Sequence, residues 1–420
     1  MYLMTILSRL SVKWACVVSL TALAALFTAT PGVAQESHPA GLVLDLQGAL
    51  SANSSAAVVE SDAGGREAAV ASEEAQAGGG AMSFFEGTEL FGLVDAYYDW
   101  YSTKPSGDAP LRNFDTKHNQ FGLSLLEVGL AKAPTADSRA GFRLDLDYGP
   151  TAALVHGGEP GGLTVFQNIQ QAYMSYLAPV GNGLQFDVGK FVTQHGAEVI
   201  EAKDNWNYSR SILFAWAIPY YHTGVRASYA VNDKVTIAGA VVNGWNNVVE
   251  NNERKTYGAQ LILKPTASLT LVQNYMGGPE QAGNDDDWRH LSDTTVTYTA
   301  TDALSLMVNY DYGRDTAAGQ SVKWQGVGAY AKYVANDRFA LIPRAEWYQD
   351  DDGYTTGTPQ TLKEFTLTGE VTLAPRLLWR IEYRGDFSDV DFFEKHNGTF
   401  IDKQHSIGFG VLYSFSSNTP

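Results

Sequence analysis

The sequence predicts an all-β chain, a transmembrane antiparallel up-and-down β-barrel of about sixteen strands. Three observations carry that expectation. Short runs with two-residue apolar alternation recur from residue 88 to the C-terminus, the connections between them alternate in length, and their number is even. Composition agrees: charged residues are only 18% of the 420, aromatics reach 12% and glycines number 41, a mixture suited to many strands joined by turns.

Taken in chain order, the first element is an export signal over residues 1–34. Arg9 and Lys13 precede an apolar run from Trp14 to Phe27, and Gly32-Val33-Ala34 forms a small-x-small cleavage site. The run falls short of the roughly 20 residues that a membrane-spanning helix needs. Cys16, the only cysteine, lies in this leader, so the exported chain is expected to hold neither a disulfide nor a thiolate metal site, and no cofactor is expected. Residues 35–83, rich in Ala, Gly, Ser and Glu, carry too little apolar surface to fold alone and read as a disordered periplasmic spacer. The barrel is assigned to residues 84–420.

Its first eight candidate strands fall near residues 88–102, 118–133, 138–149, 168–178, 183–193, 218–230, 234–245 and 254–264. The second eight fall near 267–276, 290–301, 302–313, 322–334, 337–349, 361–373, 376–387 and 403–416. Connections such as APVGNG, VNDK and LAPR are short, whereas TKPSGDAPLRNFDTK, GGPEQAGNDDDW and DDDGYTTGTPQ are long and polar. Short periplasmic turns alternating with long external loops are the habit of outer-membrane barrels. Trp100, Trp245, Trp347, Trp379 and Tyr413 stand near strand ends, where interfacial girdles are expected.

Residues Phe142 to Tyr148, FRLDLDY, show the two faces most clearly. Phe142, Leu144, Leu146 and Tyr148 share one face, and Arg143, Asp145 and Asp147 the other. An arginine facing lipid at mid-membrane costs roughly 2–4 kcal/mol, so the charged face must point inward. The same parity turns Arg226, Arg344, Glu346, Arg380, Glu382 and Arg384 toward the interior. Sixteen strands enclose room for water, and charges there either act on passing solutes or pair across strands and stiffen the wall.

One connection is unlike the rest. Residues 194–217 lack alternation yet carry Ile200, Trp206, Tyr208, Ile212, Leu213, Phe214 and Trp216, a cluster costly to leave in water. The expectation is a loop folded into the barrel, with Ile212, Leu213, Phe214 and Trp216 packed on the wall. Glu198, Glu201, Asp204 and Arg210 would then face the channel and narrow it.

Other chemistry finds little support. A formal charge of -17 argues against a nucleic-acid partner. There is no GxSxG elbow and no HExxH, and His156-Gly157-Gly158 reads as a flexible external loop rather than an oxyanion hole. Asp285-Asp286-Asp287 and Asp350-Asp351-Asp352 lack calcium-loop spacing and read as solvated loops, with a divalent-ion contact as the alternative. His195 and His222, at the ends of the unusual connection, are candidates to titrate in the lumen.

Gly189-Lys190-Phe191, Glu198, the block Asn205 to Phe214 (NWNYSRSILF), Pro219 to Arg226 (PYYHTGVR) and Val242-Asn243-Gly244-Trp245 together resemble the OmpL-like putative beta-barrel porin family of Gram-negative bacteria. The likeness runs from about residue 88 to the C-terminus and is specific chiefly in the NWNYSRS and PYYHTG blocks. It implies an outer-membrane porin without catalytic activity, with lipid and small hydrophilic solutes as partners and a homo-oligomer as a possibility. The rival readings are a closed structural or adhesive barrel and a soluble exported β-sandwich that binds a ligand. The spacer before Met82 lies outside the shared pattern, and the ending SFSSNTP puts the terminal aromatic, Phe415, several residues early.

Overall fold

The computed structural model describes residues 86–159 and 166–418, so the expected export signal and spacer lie outside the described residues. Eight strands alternate up and down from β1 (Glu89–Tyr101) through β2 (Gln120–Lys132), β3 (Ala140–Tyr148), β4 (Ile169–Ala178), β5 (Leu184–Val192), β6 (Tyr221–Asn232), β7 (Val235–Val242) and β8 (Thr256–Thr266). The series continues with β9 (Leu269–Pro279), β10 (Trp288–Thr301), β11 (Leu304–Ala317), β12 (Gln320–Asn336), β13 (Phe339–Asp350), β14 (Gln360–Ala374) and β15 (Leu377–Ser388). A two-stranded ribbon, β16 (Phe393–Glu394) and β17 (Phe400–Ile401), stands in the last long loop before β18 (Lys403–Ser416). Each barrel strand pairs antiparallel with the next, and β18 closes on β1, giving a closed ring of sixteen with no free edge.

The seam runs past the early terminal aromatic. Phe415 pairs with Gly92, and the following Ser417 donates its backbone N–H to Leu90 O (2.8 Å) while its Oγ accepts from Leu90 N–H (2.9 Å).

Inward and outward positions separate as the alternation requires. On β15, Arg380, Glu382 and Arg384 are buried inside, whereas Ile381 and Tyr383 are exposed on the outer surface. Outward aromatics gather near both rims: Trp100, Phe121, Tyr257 and Phe387 at the end with long loops, and Tyr176, Tyr333, Phe339 and Tyr413 at the end with short turns. Trp245 is not among them. Its strand ends at Val242, which frees it from the alternation, and it packs edge-on against Trp324 (6.2 Å) beneath the Arg289 guanidinium (4.7 Å).

All sixteen strand positions expected from the sequence are occupied, but one connection breaks the length rule. β11 and β12 run on until Ala317 faces Gln320, and only Ala318 and Gly319, at φ 49° and 76°, make the turn. Two consecutive positive φ values are the mark of a type I′ hairpin, whose twist matches that of the strands it joins. Residues 314–317 and 320–321, which lie between the two expected strands, are strand as well.

Candidate functional site

The chain between β5 and β6, residues 193–220, meets the inner face of the wall. It has little regular structure: a 3₁₀ turn at Ala202–Asp204 and a five-residue helix at Ile212–Trp216. Buried backbone without a ladder must find other hydrogen-bond partners, and wall side chains supply them. Ser211 caps the helix, its hydroxyl accepting from Phe214 N–H (2.9 Å).

Carboxylates take the backbone N–H groups. Glu346 on β13 accepts from Ile212 (3.0 Å) and Leu213 (3.1 Å) at the start of the helix, and Glu382 on β15 accepts from Tyr208 (2.8 Å) and Ser209 (3.1 Å). Guanidinium groups take the carbonyls. Arg380 donates to Ala202 O (2.6 Å), Asn205 O (2.6 Å) and Asn207 O (3.1 Å); Arg344 donates to Ser209 O (2.6 Å), and Arg384 to Arg210 O (2.6 Å). The resulting latch joins two strands to a stretch that could not hold this shape alone.

The apolar residues of the segment complete the attachment. Ile212, Leu213 and Phe214 are buried in a cluster with Trp324, Tyr348 and Leu362 from the wall, and Trp324 Nε1 donates to Ala217 O (3.0 Å). Trp206 stacks edge-on against Tyr330 (6.5 Å) in a second cluster with Met307 and Ile342. Tyr208 reaches β1, where its hydroxyl donates to Asp95 Oδ1 (2.8 Å), and its ring lies where any side chain on Gly410 would have to be.

The four charged residues expected on the segment occupy four settings. Glu198 is 3% exposed and commits both oxygens, one to Arg344 (3.0 Å) and the other to Ser211 N–H (2.7 Å). Arg210 is 5% exposed, donates to Tyr208 O (2.8 Å) and Ile200 O, and lies over the Phe114 ring (4.7 Å), a residue of the first external loop. Glu201 accepts from Gln170 (2.6 Å) on β4. Asp204 pairs with Lys203 and keeps a side chain 34% exposed.

Wall residues divide likewise. Arg344, Glu346, Arg380, Glu382 and Arg384 belong to the latch, together with Glu364 and Glu370, which pair with Arg344 (3.1 Å) and Arg380 (2.7 Å). Arg143 pairs with Asp145 (2.8 Å) on its own strand, and Asp147 stands two positions further along the same inward face. Arg226 pairs apart from both groups with Asp187 (2.8 Å) on β5. Sequence reasoning did not single out Glu364, Glu370, Asp95 or Asp187, although the parity that selected Arg344 and Arg380 also turns these inward.

External residues are better anchored than expected. His156 is fully buried, 3.0 Å from Glu159 and 3.2 Å from Lys190, with its ring 5.1 Å from Tyr221, so this loop is held and not free. Burial, with Lys190 beside it, pushes the imidazole down to about 3 and keeps it neutral. Asp350 is buried and accepts the N–H groups of Tyr354 (2.9 Å), Thr355 (3.0 Å) and Thr356 (2.8 Å), so it organises a turn and is not solvated. His195 and His222 are both buried and share Thr193 Oγ1 (3.1 and 3.0 Å).

Glu280, just beyond β9, accepts from Thr256 Oγ1 (2.6 Å) and Trp245 N–H (2.6 Å). Burial is the chief cause that raises its carboxyl to about 7, with Arg289 partly opposing it. The folded chain therefore holds a proton there that the unfolded chain releases near pH 4.5. The contribution is complete at low pH and is lost as pH rises from about 4.5 through about 7, on the order of 3 kcal/mol in all. Detergent-solubilised wild-type barrel should lose urea resistance across that window relative to Glu280→Gln, whose amide mimics the protonated acid; parallel curves would refute the assignment.

A family model described as putative beta-barrel porin-2, OmpL-like, matches residues 87–415. No curated protein matches the sequence. Among solved structures, an anion-selective porin from Comamonas acidovorans superposes with a TM-score of 0.54 at 11% identity, covering 78% of this chain and 99% of that one. The outer membrane channel DcaP of Acinetobacter baumannii gives 0.52 at 12% identity, covering 78% of this chain and 97% of its own. OmpT of Vibrio cholerae, in-vitro folded and described as a trimer form, gives 0.52 at 13%, covering 78% and 99%. At such identities the likeness speaks for the fold.

Proposed function

Since the chain belongs to the putative beta-barrel porin-2, OmpL-like family and forms an outer-membrane channel, we propose that it passes small hydrophilic solutes by passive diffusion and that residues 193–220 narrow the lumen. The latch is the observation that carries this reading. Arginines and glutamates of β13 and β15 grip the backbone of the segment at nine points along Ala202 to Leu213, which supports a segment held within the ring and not above it.

The opposite wall leaves the passage. On β6 to β8 the inward face shared with Arg226 carries four small residues, Gly224, Ala238, Ala240 and Gly258, none of them fully buried, among the buried His222, Ser228, Val242, Thr256 and Gln260. Small side chains leave width for water, so solutes move between this wall and the latched segment. Arg143 and Asp204, each about a third exposed at the side chain, are the charges such solutes meet, whereas Glu198 and Arg210 act by holding the constriction in shape. Family and fold go with a channel and not with an enzyme.

Placing a large side chain on the small-residue wall tests the route. Ala238→Trp should cut single-channel conductance in planar bilayers and lower the size limit for neutral sugars, while the barrel still shows heat-modifiable gel mobility. An unchanged conductance in a folded variant would move the passage elsewhere. A homo-oligomer is proposed on the trimer form described for OmpT, and chemical cross-linking in native membranes should yield trimers; monomers alone would remove it.

A further inference from the structure

The outer face of the barrel wall sorts its charges by sign and by rim. Every Asp and Glu of the barrel strands is buried, save Glu89, half-buried at the start of β1. Among the lysines and arginines of these strands, only Arg314 on β11, Lys323 on β12, Lys363 on β14 and Lys403 on β18 are exposed. Each adjoins a buried inward residue (Asp315, Trp324, Glu364 and Gln404), so the alternation turns all four toward the membrane. All four lie toward the strand ends that carry the long loops, the external rim of an outer-membrane barrel. They share one arc, because β11, β12, β13, β14, β15 and β18 are consecutive neighbours in the ring.

Within this arc cation stands against cation. Arg314 and Lys323 are register partners, directly opposite each other, an arrangement that destabilises a strand pair unless an anion screens it. Lys363 and Lys403 flank the outward Phe387, one on each side, which at the usual strand spacing puts them about 10 Å apart. Among the described residues no carboxylate lies within ion-pair distance of any of the four. Acids of the adjoining loops serve other donors: Asp352 accepts the backbone N–H of Lys323 (3.0 Å), Asp351 the Gln349 amide (2.8 Å) and Asp389 the N–H of Thr361 (2.8 Å). Asp402, exposed, precedes Lys403 outside the strand.

Aromatic side chains fix the depth. Tyr312 and Phe387, each 38% exposed, and Phe365, 43% exposed, stand on the outer surface of the same arc, as in the belts that mark the headgroup level. Long cationic side chains at that level reach out of the acyl region to the phosphate layer. Guanidinium and ammonium groups both give phosphate oxygens charge-assisted hydrogen bonds. We propose that Arg314, Lys323, Lys363 and Lys403 form a docking strip for the phosphorylated headgroup of an outer-leaflet glycolipid. The strip lies outside the barrel, so it does not depend on the solute route proposed above.

Diphosphoryl lipid A is the probe, titrated into the full chain in neutral detergent and read by native mass spectrometry. The wild type should bind it saturably. A variant carrying Arg314→Gln, Lys323→Gln, Lys363→Gln and Lys403→Gln should bind at least about tenfold more weakly, as expected for losing charge-assisted contacts. No binding by the wild type, equal binding by both proteins, or equal binding of dephosphorylated lipid A overturns the strip. Inorganic phosphate separates a headgroup from a free ion: lipid that stays bound against equimolar phosphate supports the proposal, and complete displacement would assign the strip to the ion and overturn it. The four changes are on the surface, where substitutions cost little stability, and heat-modifiable mobility reports folding. Should the fourfold variant not fold, Arg314→Gln/Lys323→Gln reads the same affinity, and an unchanged value there refutes the strip.

Discussion

Replacing residues 198–214 with a short Gly-Ser linker raises the conductance of the reconstituted barrel several-fold and admits larger sugars. The deleted stretch contains the first three residues of the helix, Trp206 and Tyr208, and the carbonyls and N–H groups that the wall grips, so the lumen empties of its largest obstruction. The cost falls on the wall. Arg344, Arg380 and Arg384 lose their carbonyl partners but keep Glu364, Glu370 and Asp386 and regain water, which is why the ring still closes. Single-channel recording with a sugar-size series reads the outcome, and an unchanged current in a variant with heat-modifiable mobility would refute the constriction.

Arg344→Ala is expected to be the most destabilising single change in the lumen. Arg344 is 1% exposed and stands against three carboxylates, Glu198 (3.0 Å), Glu364 (3.1 Å) and Glu346 (3.4 Å), besides Ser209 O (2.6 Å). Removing the cation leaves those acids facing one another in a buried place, a loss of about 3–5 kcal/mol. The urea midpoint of the folded barrel should fall, and the current should become noisier as the segment loosens. Arg344→Ala combined with Glu346→Gln should recover part of the loss, because the second change removes one of the stranded charges; a double variant weaker than the single one would show that the charges are not what matters.

The barrel was legible because a period of two is a strong signal when one face meets lipid and the other meets charge. FRLDLDY states both faces within one strand, and the same parity orients Arg344, Glu346, Arg380, Glu382 and Arg384. Parity says which way a side chain points, not what it finds there. Whether Arg380 meets water, an acid or a carbonyl depends on a partner nearly 180 positions away, and no local pattern encodes Ala202 as that partner. Glu198 illustrates the same limit from the other side: its position among apolar residues marks it as unusual, yet its contacts with Arg344 and Ser211 follow only from the fold. Trp245 and the ends of β11 and β12 depart from expectation for a simpler reason, since strand ends shift by a few residues and carry the adjoining positions with them.

The segment between β5 and β6 is tied to Gln170 on β4, Asn274 on β9, Arg344 on β13, Arg380 on β15 and Asp95 on β1, points distributed around the whole ring. Mechanically it is a set of spokes. A bare sheet cylinder resists stretching along its hydrogen bonds but ovalises easily under lateral load, whereas a hoop braced from within keeps its cross-section. Changes in bilayer tension or thickness should therefore alter how the barrel sits in the membrane far more than they alter the shape of its bore.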